Sequence, residues 1–122
     1  MRILALDFGR ARTGVAVSDP TGELARPLTV VQAAGSESGI SQLAAIVADQ
    51  DAQKVVVGLP LTLKGERGEQ ARETELFVEA LRARLEVPVE LFDERFTSTI
   101  AQGDDAKAAA HLLSDYLAWS RR

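Results

Sequence analysis

The sequence predicts an α/β protein. Its expected core is a mixed five-stranded sheet, the first three strands an antiparallel meander, with helices packed on both faces. Three observations carry this reading. Three apolar runs before residue 32 are joined by short turns. From Ile40 onward, helical and strand patterns alternate: helix, strand, helix, strand, helix. The run Lys54–Leu59 is continuously apolar, as in a strand buried on both faces.

The first strand ends at Asp7, with Leu4 and Leu6 facing one way and Ile3, Ala5 and Asp7 the other. Gly9 and Gly14 bracket a basic turn holding Arg10 and Arg12, a tight connection where backbone could approach a phosphate. The spacing is neither the Rossmann fingerprint nor a Walker A loop. Gly14–Val17 reads as the returning strand, and Asp19-Pro20-Thr21-Gly22 as a turn. Leu24–Val31 is the third strand, and Pro27 suits it to an edge or a bulge. Ala33–Gly39 reads as a loop and Ile40–Asp51 as a helix, with Ile40, Leu43, Ala44 and Val47 on one stripe. After Pro60, Leu61–Gly68 is a glycine-bounded loop carrying Lys64 and Arg67. Gln70–Leu85 is the second helix, with Phe77, Leu81 and Leu85 facing the core. Val89–Asp93 is the fifth strand, joined to the fourth by a right-handed crossover and so parallel to it. The last helix starts at Asp104 or Asp105 and reaches Trp119, with Ala109, Leu112, Leu113, Tyr116 and Leu117 apolar-facing. One domain over 1–122 accounts for the chain.

Composition excludes several chemistries. There are no cysteines and one histidine among 122 residues, so thiolate sites and a multi-histidine zinc site within one chain are ruled out. No run approaches the roughly 20 apolar residues of a membrane span. Arg2 and a short apolar run ending at Asp7 do not read as a secretory leader, so the cytoplasm is the expected location. The net charge of −4 argues mildly against nucleic-acid binding. The cations nevertheless gather beside loops: Arg10 and Arg12, Lys64 and Arg67, and Arg95. The acids Glu69, Glu73, Glu75, Glu79 and Glu86 read as the solvated face of the second helix.

Asp7, Glu94 and Asp105 each sit at an element boundary. In α/β sheets, ligands bind at the carboxyl ends of strands, where Asp7 and Glu94 fall. If the first and fifth strands are neighbours, these carboxylates converge. Carboxylates sharing a cleft repel, and a divalent cation relieves the repulsion. Hard oxygen ligands favour Mg²⁺ or Mn²⁺. Two such ions about 3.5–4 Å apart can activate water and stabilise the leaving oxygen of a phosphodiester. Plainer readings stand beside this one. An acid after a strand is often a turn former. Asp93-Glu94-Arg95 also fits a surface ion-pair cluster, and Asp104 and Asp105 fit ordinary helix N-terminal acids. Thr97 and Ser98 suit either phosphate binding or turn formation. His111, Tyr116 and Trp119 read as packing residues.

Four blocks resemble the YqgF/RuvX family. They are Ile3–Gly9 continued by Arg12–Asp19; Val56–Leu61 with Gly65; Phe92–Ser98; and Asp105 to Leu117. The resemblance implies a ribonuclease-H-like fold and a metal-dependent nuclease with Asp7, Glu94 and Asp105 as metal ligands, Asp105 being preferred over Asp104. It implies a cytoplasmic bacterial enzyme acting on Holliday junctions or on the 5′ end of precursor 16S rRNA. One departure stands out: where the family has a further helix and a strongly basic loop, only Thr99–Asp104 intervene here.

The expected function is therefore endonucleolytic hydrolysis of branched DNA or precursor rRNA with two Mg²⁺ or Mn²⁺ ions. Arg10, Arg12, Lys64, Arg67, Arg95, Thr97 and Ser98 are the expected nucleic-acid contacts. A junction has two equivalent strands to cut, so a two-fold homodimer suits that substrate. A non-catalytic nucleic-acid-binding module with the same fold is the alternative. An actin–sugar-kinase-type phosphotransferase is a weaker one, because it needs two such domains around its nucleotide.

Overall fold

The computed structural model describes residues 1–59, 68–93 and 105–121. The elements are β1 (Ile3–Asp7), β2 (Arg12–Ser18), β3 (Ala25–Gln32), α1 (Glu37–Asp49), β4 (Lys54–Leu59), α2 (Glu69–Arg84), β5 (Val89–Asp93) and α3 (Asp105–Ser120). The sheet order is β3-β2-β1-β4-β5. The first three strands pair antiparallel, and β4 runs parallel to both β1 and β5.

Strand alternation sorts the side chains into two layers. Leu4, Leu6, Val15, Val17, Val55 and Val57 join Ile40, Leu43, Val47, Phe77 and Leu81 in one cluster, so α1 and α2 cover that face. Ile3, Ala5, Ala16 and Val56 join Ala109, Leu112, Leu113, Tyr116 and Leu117 in the other, under α3. Each Leu or Val fully withdrawn from water in these layers contributes about 1.5–3 kcal/mol. Val55, Val56 and Val57 are all buried, as a central strand covered on both faces requires. Pro27 lies on the edge strand β3, where the β2–β3 register shifts between Val15 and Ala16; a bulge there accommodates a residue with no N–H to donate.

One condition is not met and two expectations need correction. The first and fifth strands are not neighbours, because β4 lies between them. Their carboxyl ends share one rim of the sheet, two strand spacings or about 10 Å apart. Helix α1 begins at Glu37, inside the stretch read as a loop. The Ser36 hydroxyl caps it by accepting a hydrogen bond from Gly39 N at 3.0 Å. Glu86 lies beyond α2, which closes at Arg84 with Leu85 as its C-cap.

Candidate active site

Asp7 is the last residue of β1 and is half-buried. Two residues earlier, Ala5 packs under α3, so Asp7 belongs to the α3-covered face by strand period. Across the antiparallel ladder it stands opposite Gly14. A Cβ added to Gly14 would come within 1.7 Å of the Asp105 carbonyl oxygen and 3.0 Å of the Ala106 nitrogen. The missing side chain of Gly14 therefore makes the seat for the first turn of α3. Asp7 and Asp105 flank a single residue, one as its ladder partner and the other resting on its Cα.

The same close approach gives both glycines a packing role. Their bare faces meet protein backbone. Gly14 meets Asp105, and a Cβ on Gly9 would lie 2.4 Å from the Arg12 carbonyl oxygen. Thr13, fully buried, fastens the turn between them. Its Oγ1 accepts from Gly9 N at 3.3 Å and donates to Gly9 O at 3.4 Å. Sequence reasoning passed over Thr13, although a hydroxyl placed between an apolar strand and a glycine turn is the available signal.

The two arginines of this turn diverge to opposite faces. Arg12 Nε lies 3.2 Å from Asp105 Oδ2, on the α3 side. Arg10 turns to α2 and forks Glu73, with Nε at 3.2 Å from Oε2 and the second nitrogen on Oε1. The hydrogen bond and charge of Glu73 raise the Arg10 guanidinium above its ordinary value, and the Arg10 bond holds the Glu73 carboxyl below its own. Phe8 stacks on Phe77 with centroids 4.3 Å apart. Phe77 follows Glu73 by one helical turn, so two consecutive contacts strap the β1–β2 turn to α2. Glu73 is thus not simply solvated, as the sequence suggested. A cavity of about 390 Å³ opens here, lined by Phe8, Gly9, Arg10, Glu69, Gln70 and Glu73.

Glu94 follows Asp93, the last residue of β5. Glu94, Arg95, Thr97, Ser98, Lys64 and Arg67 lie outside the described residues. Asp105 is the first residue of α3. Among the described residues no three metal-ligating side chains gather into one group. Asp7 pairs with Gly14 and the Asp105 backbone rests on Gly14, and carboxylate oxygens are hard donors of the kind that suit Mg²⁺ or Mn²⁺ rather than a soft metal.

The mixed sheet, its strand order and its helices on both faces define a ribonuclease-H-like domain of the kind found in junction-cleaving resolvases. Thermus thermophilus RuvC, solved with a Holliday junction substrate, matches at a TM-score of 0.60 with 16% identity, over 99% of this chain and 95% of that one. The fowlpox virus Holliday junction resolvase matches at 0.56 with 12% identity, over 98% and 99%. Archaeoglobus fulgidus Pelota reaches 0.55 with 14% identity, over 98% of this chain and 34% of that one. Likeness at this level shows the fold alone. Sequence goes further: the model of the RuvX family, described as Holliday junction resolvase, matches residues 1–118, and the chain belongs to that family. A protein of Chloroflexus aggregans named "Putative pre-16S rRNA nuclease" is 45% identical, over 94% of this chain and 92% of its own. One of the same name from Sulfurihydrogenibium is 47% identical, over 83% and 70%. The first of these alignments spans 130 positions against a chain of 122 residues, so that relative carries residues without a counterpart here.

Proposed function

We propose that this chain is a divalent-metal-dependent endonuclease that hydrolyses phosphodiesters in precursor 16S rRNA or branched DNA. Membership in the RuvX family supports nuclease chemistry. The observation that carries the site assignment is the contact of Gly14 with Asp105, which seats one carboxylate residue beside another, Asp7. Asp7, Asp105 and Glu94 would hold the metal. The argument for Glu94 is from sequence: it directly follows Asp93, the last residue of β5, and falls in a block that resembles the family. Two bound ions would supply an activated water and stabilise the departing 3′ oxygen. The residues themselves fix the carboxylates at a strand end and a helix start, both rigid elements. Arg12, in contact with Asp105, would meet a phosphate next to the cleaved bond. Arg10 sits on the α2 side with Glu73 and would contact nucleic acid further along. Lys64, Arg67, Arg95, Thr97 and Ser98 complete the proposed contacts, which are largely sequence-independent. The cytoplasm is the proposed location; no described helix is long and apolar enough to cross a membrane. A two-fold dimer is proposed only for the junction substrate.

The test offers a four-way DNA junction and a 5′-extended 16S rRNA precursor to the wild type and to Asp7→Asn, each with Mg²⁺, Mn²⁺ or EDTA. Metal-dependent cutting of at least one substrate, abolished in Asp7→Asn, is the expected result. Binding without cutting of either would favour the non-catalytic module.

A further inference from the structure

Arg12 and Asp105 meet across the gap between β2 and α3, and this contact bears on the site beyond the placing of carboxylates. The ion pair, at 3.2 Å, joins a guanidinium nitrogen to a carboxylate oxygen that the proposed nuclease needs for metal. Arg12 opens β2 two residues before Gly14, so both face α3, and Gly14 holds the Asp105 backbone in place. The backbone of the pair is therefore fixed while its ends are open: the Arg12 side chain is 60% exposed and that of Asp105 34%. Such a pair is weak, and an exposed guanidinium can swing away at little cost.

We propose that Arg12 and the divalent ion compete for the Asp105 carboxylate, so that metal loading releases Arg12 to bind a nucleic-acid phosphate. The inference rests on the metal-site reading above. Guanidinium and divalent cation are alternative partners for the same oxygen, and guanidinium serves carboxylate and phosphate with the same fork. Metal that takes Asp105 leaves Arg12 without this partner beside the scissile position. Linkage then runs both ways: metal raises affinity for nucleic acid, and nucleic acid, by drawing Arg12 off, raises affinity for metal. Arg10 is the internal contrast. It shares the same turn and the same charge, but its carboxylate is Glu73, on the other face of the sheet.

The experiment titrates Mn²⁺ alone into the wild type, Arg12→Gln, Arg10→Gln and Asp105→Asn, read by calorimetry. Arg12→Gln should bind Mn²⁺ about two- to fivefold more tightly than the wild type, the range expected from loss of an exposed ion pair. Arg10→Gln, which removes an equal charge from the same turn, should stay within about half of that change. A second reading follows the Arg12 Nε–H resonance of ¹⁵N-labelled wild type as Mg²⁺ is added; it should shift and exchange faster with water. Equal Mn²⁺ affinity in wild type and Arg12→Gln, or equal tightening in both arginine variants, overturns the exchange while leaving the metal site intact. Failure of the wild type to bind Mn²⁺, or binding undisturbed in Asp105→Asn, overturns the site reading and the exchange together.

Discussion

Two charge clusters lie under α3, one at each end, and they use similar residues to opposite effect. At the start of β4, level with Ile3 of β1, Lys54 Nζ donates to Tyr116 OH at 3.1 Å and to Glu90 Oε1 at 3.2 Å. Tyr116 OH donates in turn to the same Glu90 oxygen at 3.1 Å, closing a triangle. Phe92 and Trp119 pack around the Tyr116 ring. Four residues along β1, or about 13 Å away, is Asp7, opposite Gly14 on β2, and at that end Arg12 meets Asp105. Among the described residues, that pair is open to water at the rim where the sheet ends. Eleven residues of α3, a rise of about 16 Å, separate Tyr116 from Asp105 and span the two clusters. The difference teaches how the same helix is held at its two ends. A closed triangle flanked by aromatic rings fixes the helix, whereas an open pair at a strand end can change partners.

The comparison can be broken most severely at Gly14. Gly14→Ala puts a methyl group where the Asp105 carbonyl oxygen lies, so α3 must move away from β2. Urea unfolding should show a loss of about 1–3 kcal/mol, or somewhat more because the obstacle is backbone. Cutting activity should vanish even in the folded fraction. Full activity in this variant would disconnect α3 seating from the site.

The other end gives a smaller and separable effect. Lys54→Met should cost about 1 kcal/mol, since the triangle is only partly shielded and Glu90 loses its cation. Mn²⁺ affinity should be unchanged, which Gly14→Ala would not allow. Tyr116→Phe keeps the ring contacts and removes the hydroxyl shared by Lys54 and Glu90. A loss of about 0.5–1.5 kcal/mol in the same unfolding assay is expected, again with metal binding intact.

The smallest effect lies in pH. The Tyr116 hydroxyl raises the Lys54 ammonium above its ordinary value, with Glu90 adding to this and partial burial opposing it. A lysine raised on folding contributes its full stability below its unfolded value of about 10.4 and loses it as pH climbs through the folded value. The wild type should therefore lose stability above about pH 10 more steeply than Lys54→Met. Parallel alkaline profiles for the two proteins would remove Lys54 from the account.

Much of this was legible in the sequence because it depends on period and punctuation. The stripe Ala109, Leu112, Leu113, Tyr116 and Leu117 is buried as read, since a helix of this spacing has one apolar face to hide. Pro27 pointed to an edge or bulge, and both are present, because a residue without an N–H excludes a central position. Asp7 at a strand end was visible because it closes an apolar run just before Gly9. What escaped the sequence was lateral. No local pattern states that β4 separates β1 from β5, because strand order is decided by which faces the crossover helices cover. Nor does a glycine announce which neighbour needs the space: Gly14 serves α3, ninety residues later in the chain. The partners of Arg10 and Arg12, Glu73 and Asp105, come from two different helices for the same reason.

The irregular pairing opposite Pro27 bears on how the molecule behaves in a crowded solution. Strand β3 is a border of the sheet, and a straight border offers a ladder to any passing chain. A bulge in mid-strand breaks the even spacing of that ladder, so a second copy meets no continuous edge on which to zip. The bulge thereby guards against fibrous stacking along this border, a role independent of anything the opposite rim of the fold does.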